Sequence, residues 1–187
     1  FYWEKGVLAH FLEWLSRPQQ RDWDLVHHEI LPKKPAQLKK IPKGLHPGVA
    51  ALIRSSGINS LYSHQAEAIR SALAGNNVVL STSTASGKTL CYQAPVLDTL
   101  IRNPEARALL LFPLKALERD QRDAFVALAG DSGIDAEVYD GDTPEPQRRK
   151  IKSNPPRVLI TNPDMLHLGM LAYHDGWKNF FGNLAYV

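Results

Sequence analysis

Cysteine is almost absent from the sequence, with Cys91 the only one among 187 residues. A single cysteine cannot form a disulfide within the chain, which favours a reducing compartment, and we expect a cytoplasmic protein. Cys91 falls on a predicted helix. We interpret it as a small buried apolar residue rather than a reactive thiol.

Long hydrophobic runs are absent as well. No uninterrupted apolar stretch is long enough to cross a bilayer, and Glu4, Lys5 and His10 break any signal-peptide pattern near the start. We therefore expect no membrane partner. Hydrophobic residues make up 44% of the chain and charged residues 22%, as in ordinary globular proteins, and a net charge of +3 identifies no partner.

Zinc-type spacings are also missing. Four histidines could suggest a metal site, namely His27, His28, His167 and His174. No cysteine accompanies them at zinc spacing, and the side chains of a histidine doublet diverge, so we do not expect histidine to bind a metal here.

What the sequence does contain is a loop of small polar residues that ends in glycine, lysine and threonine. It follows the apolar run 77–80, a predicted strand, and precedes a predicted helix from Leu90. Small residues let successive backbone N–H groups turn toward a triphosphate, and the helix N-terminus adds partial positive charge. The residues that we assign to nucleotide binding in this loop are Thr82, Ser83, Thr84, Ala85, Ser86, Gly87, Lys88 and Thr89.

Lys88 and Thr89 carry the chemistry of this phosphate loop. Lys88 is placed to reach the β- and γ-phosphates of ATP, and the Thr89 hydroxyl to bind Mg²⁺, so we assign both a catalytic role. The strict pattern requires a glycine five residues before Gly87, where Thr82 stands. The alternative is a plain polar turn, but a lysine at a helix start opposes the helix dipole unless an anion is bound.

Apolar strands alternate with helices along the rest of the chain. The predicted strands are 107–112, 136–139, 157–161 and 184–187. The predicted helices are 4–15, 46–56, 64–74, 90–102 with a kink at Pro95, 114–129, 144–152 and 162–171. Strands that are apolar throughout and separated by helices predict an α/β fold with a parallel sheet covered on both faces.

The first part of the chain differs in composition. Between residues 17 and 47 prolines alternate with Lys33, Lys34, Lys39, Lys40 and Lys43. This pattern predicts an extended segment that is either a solvated linker or a contact to nucleic-acid phosphates. We expect residues 1–60 to form a helical and extended accessory segment and residues 61–187 to form the α/β domain.

Polar or special residues follow the ends of three more predicted strands, in the segments 113–117, 140–144 and 161–166. Ligands bind at the carboxyl ends of strands in parallel sheets. Each segment alone could be a plain turn, because Asp-Gly and Asn-Pro are common turn formers.

Together, in this order and spacing, the segments resemble the first motor domain of superfamily 2 DEAD/DEAH-box helicases. Residues 61–69 resemble the Q motif, and residues 82–89, 112–121, 139–144 and 161–166 resemble motifs I, Ia, Ic and Ib. The motif sequences are most similar to those of the bacterial mitomycin-repair-type DNA helicases, which contain a DUF1998 region and are related to RecQ4-like enzymes. The resemblance is good over residues 61–187 and loose before them.

This resemblance implies a RecA-like P-loop NTPase domain that uses ATP and Mg²⁺. Gln65 would hydrogen-bond to adenine, and Tyr62 would stack on it, although Tyr62 could equally be a core aromatic beside the helix. Single-stranded or tailed nucleic acid, with DNA favoured, would be the partner, and 3′-to-5′ movement and a role in DNA repair are implied. The residues implied to contact it are Pro113, Lys115, Gly141, Thr143, Thr161, Asn162 and Pro163.

Motif II, an Asp-Glu pair expected after the strand that ends at Val187, is not in the sequence, and neither is a second RecA-like domain with its arginine finger. We therefore expect an N-terminal fragment that works with the C-terminal remainder of the same protein. Residues 1–187 alone should not hydrolyse ATP at a useful rate, because loss of an arginine finger costs about a thousandfold or more.

Two other functions fit the loop. One is a P-loop kinase for nucleotides or small molecules, and the other is a non-catalytic nucleic-acid-binding module. Single-stranded DNA separates the three, because it should stimulate a helicase ATPase, leave a kinase unaffected and bind to a module without turnover.

Overall fold

The computed structural model describes residues 5–17, 26, 27, 29 and 35–187. Its contacts divide the chain into two compact units, Phe1–Ala36 and Gln37–Val187. In the first unit the predicted amphipathic helix is present as α1, Lys5–Ser16.

The basic segment predicted after α1 is only partly described. Lys33 and Lys34 lie outside the described residues, as does His28 of the histidine doublet. The lysines at 39, 40 and 43 are exposed and belong to the second unit. Residues 37–60 therefore pack with the α/β part of the chain, while the predicted domain boundary at residue 60 stays a prediction.

The second unit contains a short antiparallel ladder and a parallel sheet. The strands are β1 (Leu38–Lys39), β2 (Leu61–Tyr62), β3 (Arg107–Leu111), β4 (Ala136–Val138), β5 (Val158–Thr161) and β6 (Leu184–Tyr186). Strands β1 and β2 pair antiparallel just before the next helix begins. The other four pair parallel in the order β4-β5-β3-β6, which confirms the predicted parallel sheet.

Helices cover both faces of this sheet. They are α2 (Pro47–Ser55), α3 (Ser63–Leu73), α4 (Lys88–Arg102), α5 (Lys115–Ala129), α6 (Glu145–Ser153) and α7 (Lys178–Phe181). Side chains of β3 alternate between two apolar clusters, with Ala108 and Leu110 in one and Leu109 in the other. Burial on both faces explains why these strands are apolar throughout, as predicted.

The prediction of a strand at 77–80 is wrong, because the structure has no strand there. Val79 is 95% exposed. A strand needs a partner that accepts its backbone hydrogen bonds, and β6, at the edge of the described sheet, pairs only with β3. An apolar run with no ladder partner stays irregular, whatever its side-chain propensity.

The helix predicted at 162–171 is also different in form. After two α-helical residues, Pro163 and Asp164, the backbone widens to a π-helix at Met165–Met170 and then tightens to a 3₁₀ helix at Leu171–Trp177. Met170 and Trp177 are buried against the sheet.

Candidate nucleotide and nucleic-acid sites

The phosphate loop closes on itself. Gly87 has φ +76°, a left-handed conformation, and α4 begins directly after it. The Lys88 Nζ atom donates to the carbonyl oxygens of Thr82 at 3.0 Å and Ser83 at 2.6 Å. The hydroxyls of Thr82 and Ser86 are 2.7 Å apart.

Lys88 has no salt bridge with a carboxylate among the described residues. Its positive charge is held by carbonyl dipoles at the N-terminus of a 15-residue helix, whose own dipole repels it. Both conditions improve when an anion replaces the carbonyls. The loop therefore fits a phosphate group, as the sequence predicts.

The start of α3 clasps this loop. His64 Nε2 lies 2.9 Å from the Ser86 carbonyl oxygen, and Gln65 Nε2 donates to the Gly87 carbonyl oxygen at 2.9 Å. Gln65 Oε1 accepts from the Tyr62 N–H at 2.9 Å. The buried Gln65 amide thus already uses one donor and one acceptor, and its predicted contact to adenine stays a prediction.

The structure gives Gln65 a structural task that the sequence did not suggest. A Cβ atom at Gly87 would lie 2.5 Å from Gln65 Nε2, so glycine is required there for close approach as well as for its positive φ. Tyr62 is 44% exposed, and its ring stacks parallel to the His64 ring at 5.7 Å. Of the two interpretations of Tyr62, a core aromatic is therefore wrong.

The phosphate loop is connected to α5 through Tyr92. The Tyr92 hydroxyl donates to Gln121 Oε1 on α5, and burial raises the pKa of Tyr92 to about 12, against a hydrogen bond from Thr89 that lowers it. Thr89, the predicted Mg²⁺ ligand, lies half-buried in the first turn of α4. Cys91 is buried as predicted, and burial raises the pKa of its thiol.

The loops after β3, β4 and β5 meet in one groove of about 560 Å³. We call it the nucleic-acid groove, and it is lined by Pro113, Lys115, Gly141, Asn162, Pro163, Asp164, Met165 and Leu168. The structure thus brings together five of the residues that the sequence implied. Asp164, Met165 and Leu168 were missed, although a helix from Asn162 puts Met165 and Leu168 on nearly the same face as Asn162.

Two predicted contacts lie outside the lining of this groove. Thr161 is 0% exposed, and its hydroxyl donates to the Tyr139 carbonyl oxygen. The buried Thr143 hydroxyl accepts from the Asp140 N–H at 2.9 Å and donates to Asp140 Oδ1 at 3.0 Å. Because both hydroxyls are used inside the fold, this structure does not support their predicted contact with phosphates.

The lysine that is predicted to bind phosphate forms a salt bridge with an acidic side chain. Lys115 Nζ lies 2.7 Å from Asp142 Oδ1, and Arg119 Nη2 lies 3.7 Å from Asp142 Oδ2. The hydrogen bond between Lys115 and Asp142 raises the pKa of Lys115 and lowers the pKa of Asp142. A phosphate that approaches Lys115 therefore competes with Asp142 for the ammonium group.

Arg148 on α6 fixes the turn that carries Gly141, and sequence reasoning missed it. Its Nε atom donates to the Thr143 carbonyl oxygen at 2.8 Å, and Nη2 donates to the Asp140 carbonyl oxygen at 2.8 Å. The guanidinium also lies 5.6 Å from the Tyr139 ring centroid, over its face. Nothing in the sequence separates Arg148 from its exposed neighbour Arg149.

Neither a metal cluster nor a membrane segment appears in the described part of the chain. None of the groupings of histidine, cysteine, aspartate and glutamate among these residues has the three members needed to hold a metal ion. Among the described helices, none combines the length and apolar character of a membrane span.

Comparison with known proteins agrees with this geometry. The DEAD/DEAH box helicase family matches residues 62–187. The chain is 40% identical over 162 residues to the ATP-dependent helicase YprA of Bacillus subtilis, covering 86% of the chain and 21% of that protein. It is 38% identical over 165 residues to the ATP-dependent helicase HRQ1 of Saccharomyces cerevisiae, covering 86% of the chain and 15% of that protein.

Solved structures agree as well. A crystal structure of the DUF1998 helicase MrfA bound to DNA superposes with a TM-score of 0.83 at 36% identity, over 96% of this chain and 25% of that one. The chain therefore spans about a quarter or less of the relatives named here. The match over most of its length is sufficient to conclude that the chain belongs to the DEAD/DEAH box helicase family.

Proposed function

We propose that this chain supplies the ATP-binding loop and part of the nucleic-acid track of an ATP-dependent DNA helicase or translocase. The observation that carries the proposal is the nucleic-acid groove, in which loops from three adjacent parallel strands meet at their carboxyl ends. A small-molecule kinase has no use for such a track. Membership of the helicase family supports the same choice.

The groove suits a phosphate backbone better than base edges. It offers the Lys115 ammonium, backbone at Gly141 and the helix start at Asn162, all of which contact phosphates or sugars without identifying a base. Apolar side chains such as Leu168, which is 66% exposed, offer contact surface without sequence preference. We expect binding that depends strongly on salt and weakly on sequence.

In the nucleotide site, Lys88 would exchange the loop carbonyls for the β- and γ-phosphates of ATP. The Thr89 hydroxyl would bind Mg²⁺, which neutralises phosphate charge when it is present. Gln65 and Tyr62 would recognise adenine from the start of α3. ATP turnover would further require a second RecA-like domain from the remainder of the same protein.

The substrate and setting rest on weaker support. The MrfA structure bound to DNA supports DNA as the nucleic acid. Movement in the 3′-to-5′ direction, a role in DNA repair and a cytoplasmic location are part of the proposal and rest on the resemblance and the cysteine content alone.

The test is ATP turnover by the natural protein that contains this chain, measured with and without single-stranded oligo(dT) and with the matching RNA. We expect turnover to rise with DNA and to rise less with RNA. Lys115→Ala should increase the DNA concentration needed for half-maximal stimulation, whereas Lys152→Ala, exposed on α6, should not. Binding of DNA with no change in turnover would instead indicate a non-catalytic module.

A further inference from the structure

A fully buried acid lies directly behind the nucleic-acid groove. Glu118 on α5 is 0% exposed, and its Oε1 atom accepts from Asn162 Nδ2 at 2.9 Å. The other end of the Asn162 side chain, Oδ1, accepts from the Met165 N–H at 2.8 Å. Glu118 therefore sets which way the Asn162 amide points at the helix start that lines the groove.

A second buried acid belongs to the neighbouring turn. Asp140 is 2% exposed, and its Oδ1 atom accepts from the Asp142 N–H at 2.9 Å and from the Thr143 hydroxyl at 3.0 Å. These bonds shape the turn that presents Gly141 to the groove. One oxygen of Asp140 is thus fully used, and Oδ2 is left over.

The remaining oxygens of the two acids share a problem. Glu118 Oε2 and Asp140 Oδ2 are both buried, and neither has a hydrogen-bond partner within the described part of the fold. The nearest cation, Arg119 Nη2, is 3.9 Å from Asp140 Oδ2, beyond hydrogen-bonding distance. Buried unpartnered oxygens are rare in folded proteins because they lose their bonds to water.

A proton on Glu118 would give both oxygens a hydrogen-bond partner. Burial raises the pKa of Glu118, and the charge of Asp140 and a hydrogen bond to it raise this pKa further, while Asn162 and Lys115 lower it. A carboxyl group that is buried beside a second carboxylate tends to keep its proton. A hydrogen on Glu118 Oε2 can donate to Asp140 Oδ2, and a hydrogen bond to an ionised acceptor is strong.

Resting on the function proposed above, we propose that Glu118 is a positioning residue of the nucleic-acid groove, whose carboxyl group donates a hydrogen bond to Asp140. The protonated pair joins the turn after β4 to the helix start after β5, so that Gly141 and Asn162 keep a fixed separation. Loss of the proton to solvent places two negative charges side by side. Their repulsion opens the groove and adds negative charge behind a phosphate-binding surface.

The groups around the pair do not titrate in its place. The residues that contact the two acids or the turn around Asp140 are Lys115, Arg119, Asp142, Arg148 and Asn162. Asn162 is neutral, arginine stays charged, and the mutual hydrogen bond keeps Lys115 and Asp142 ionised. A pH dependence centred on the groove is therefore expected to come from Glu118.

The experiment compares Glu118→Gln and Glu118→Ala with the unmodified natural protein, using fluorescence anisotropy of labelled oligo(dT) at constant ionic strength. The titration runs from about pH 5.5 to about pH 8.5, a range that also includes histidine titration. Histidine contributes equally to all variants, so the informative quantity is the affinity ratio between unmodified protein and variant. Asp120→Asn, exposed on the same helix, is the control for removal of one negative charge.

We expect the unmodified protein to lose affinity relative to Glu118→Gln as pH rises, by up to about tenfold per pH unit for one proton. Glutamine donates to Asp140 and accepts from Asn162 at every pH, so this variant should match the unmodified protein at low pH and lack the decline. Glu118→Ala should bind weakly throughout. Asp120→Asn should keep the full decline.

Thermal unfolding without nucleic acid gives an independent measurement. Because folding raises the pKa of Glu118, its contribution to stability is present at low pH and is lost as pH rises from the ordinary value through the raised one. The melting temperature of the unmodified protein should show this loss, and that of Glu118→Gln should not. Asp140→Asn, which can donate to a Glu118 carboxylate, provides the second variant if the Glu118→Gln protein fails to fold.

The outcomes distinguish failure of this proposal from failure of the proposed function on which it rests. DNA binding with the same pH profile in unmodified protein and Glu118→Gln would overturn the hydrogen bond donated by Glu118 alone, as a buried water bridging the two acids would predict. Absence of DNA binding in every variant at every pH would overturn the proposed function and the positioning role with it.

Discussion

The phosphate loop and the nucleic-acid groove are held by different kinds of contact. Within the loop, Lys88 bonds to carbonyl groups five and six residues away, and none of the residues 82–89 is fully buried. Behind the groove, Glu118 bonds to Asn162 across 44 residues of sequence, and both carboxyl groups there are buried. A loop that satisfies its own donors can exchange them for a ligand, whereas long-range buried bonds set the groove in advance.

This comparison predicts where mutations cost function and where they cost stability. Changes in the loop should reduce nucleotide use while the protein stays folded. Changes behind the groove should reduce stability or the position of groove residues.

The largest effect is expected from Lys88→Ala in the natural protein. Removal of the charge that meets the phosphates should lower ATP turnover by about a hundredfold or more. The melting temperature should change by no more than about 2 °C, because Lys88 bonds only to two carbonyl groups of its own loop, one part-buried and one exposed. A matched loss in Lys152→Ala, or near-normal turnover in Lys88→Ala, would contradict the assignment of the loop.

Gly87→Ala tests the clasp between α3 and the loop. The new Cβ atom would lie 2.5 Å from Gln65 Nε2 at a positive φ, so we expect a loss of about 1–3 kcal/mol in unfolding free energy. Gly57→Ala is the matched control, because Gly57 has φ +86° and no atom within 4 Å of an added Cβ. Denaturant titration of both variants measures the difference. Equal losses would show that the clasp adds nothing to the conformational cost.

Thr161→Val tests whether this predicted phosphate contact is a structural residue. The change leaves the buried Tyr139 carbonyl oxygen without its hydroxyl donor, and we expect a loss of about 1–2 kcal/mol. Thr161→Ser keeps the hydroxyl and should recover part of this stability. DNA affinity of folded Thr161→Val should stay unchanged. A large loss of affinity without loss of stability would restore the original prediction.

The smallest effect is expected from Asp142→Asn at the exposed rim of the groove. The variant releases Lys115 from its salt bridge, so DNA affinity should rise by a few-fold at low ionic strength. The gain should shrink as salt screens the charges. Asp120→Asn controls for the change in net charge. Equal gains in the two variants would mean that Asp142 does not compete with phosphate.

The sequence predicted the sheet and much of the groove because both depend on local patterns. Apolar runs such as 158–160 indicate buried parallel strands, and the turn residues that follow them must lie at one sheet edge. Gly141 and Asn162 were therefore found without coordinates. The predicted strand at 77–80 was wrong, because a strand depends on a partner that no local pattern provides.

The sequence by itself determined the phosphate loop, the parallel α/β fold and the family, since each follows from residue types at short spacing. Only the tertiary structure decided that Thr161 faces inward, that Asp142 forms a salt bridge with Lys115, and that Glu118 lies buried beside Asp140. Burial and charge pairing depend on which distant segments meet. The sequence of an amphipathic helix does not show whether one of its acidic residues will pack against a second acid from a distant segment.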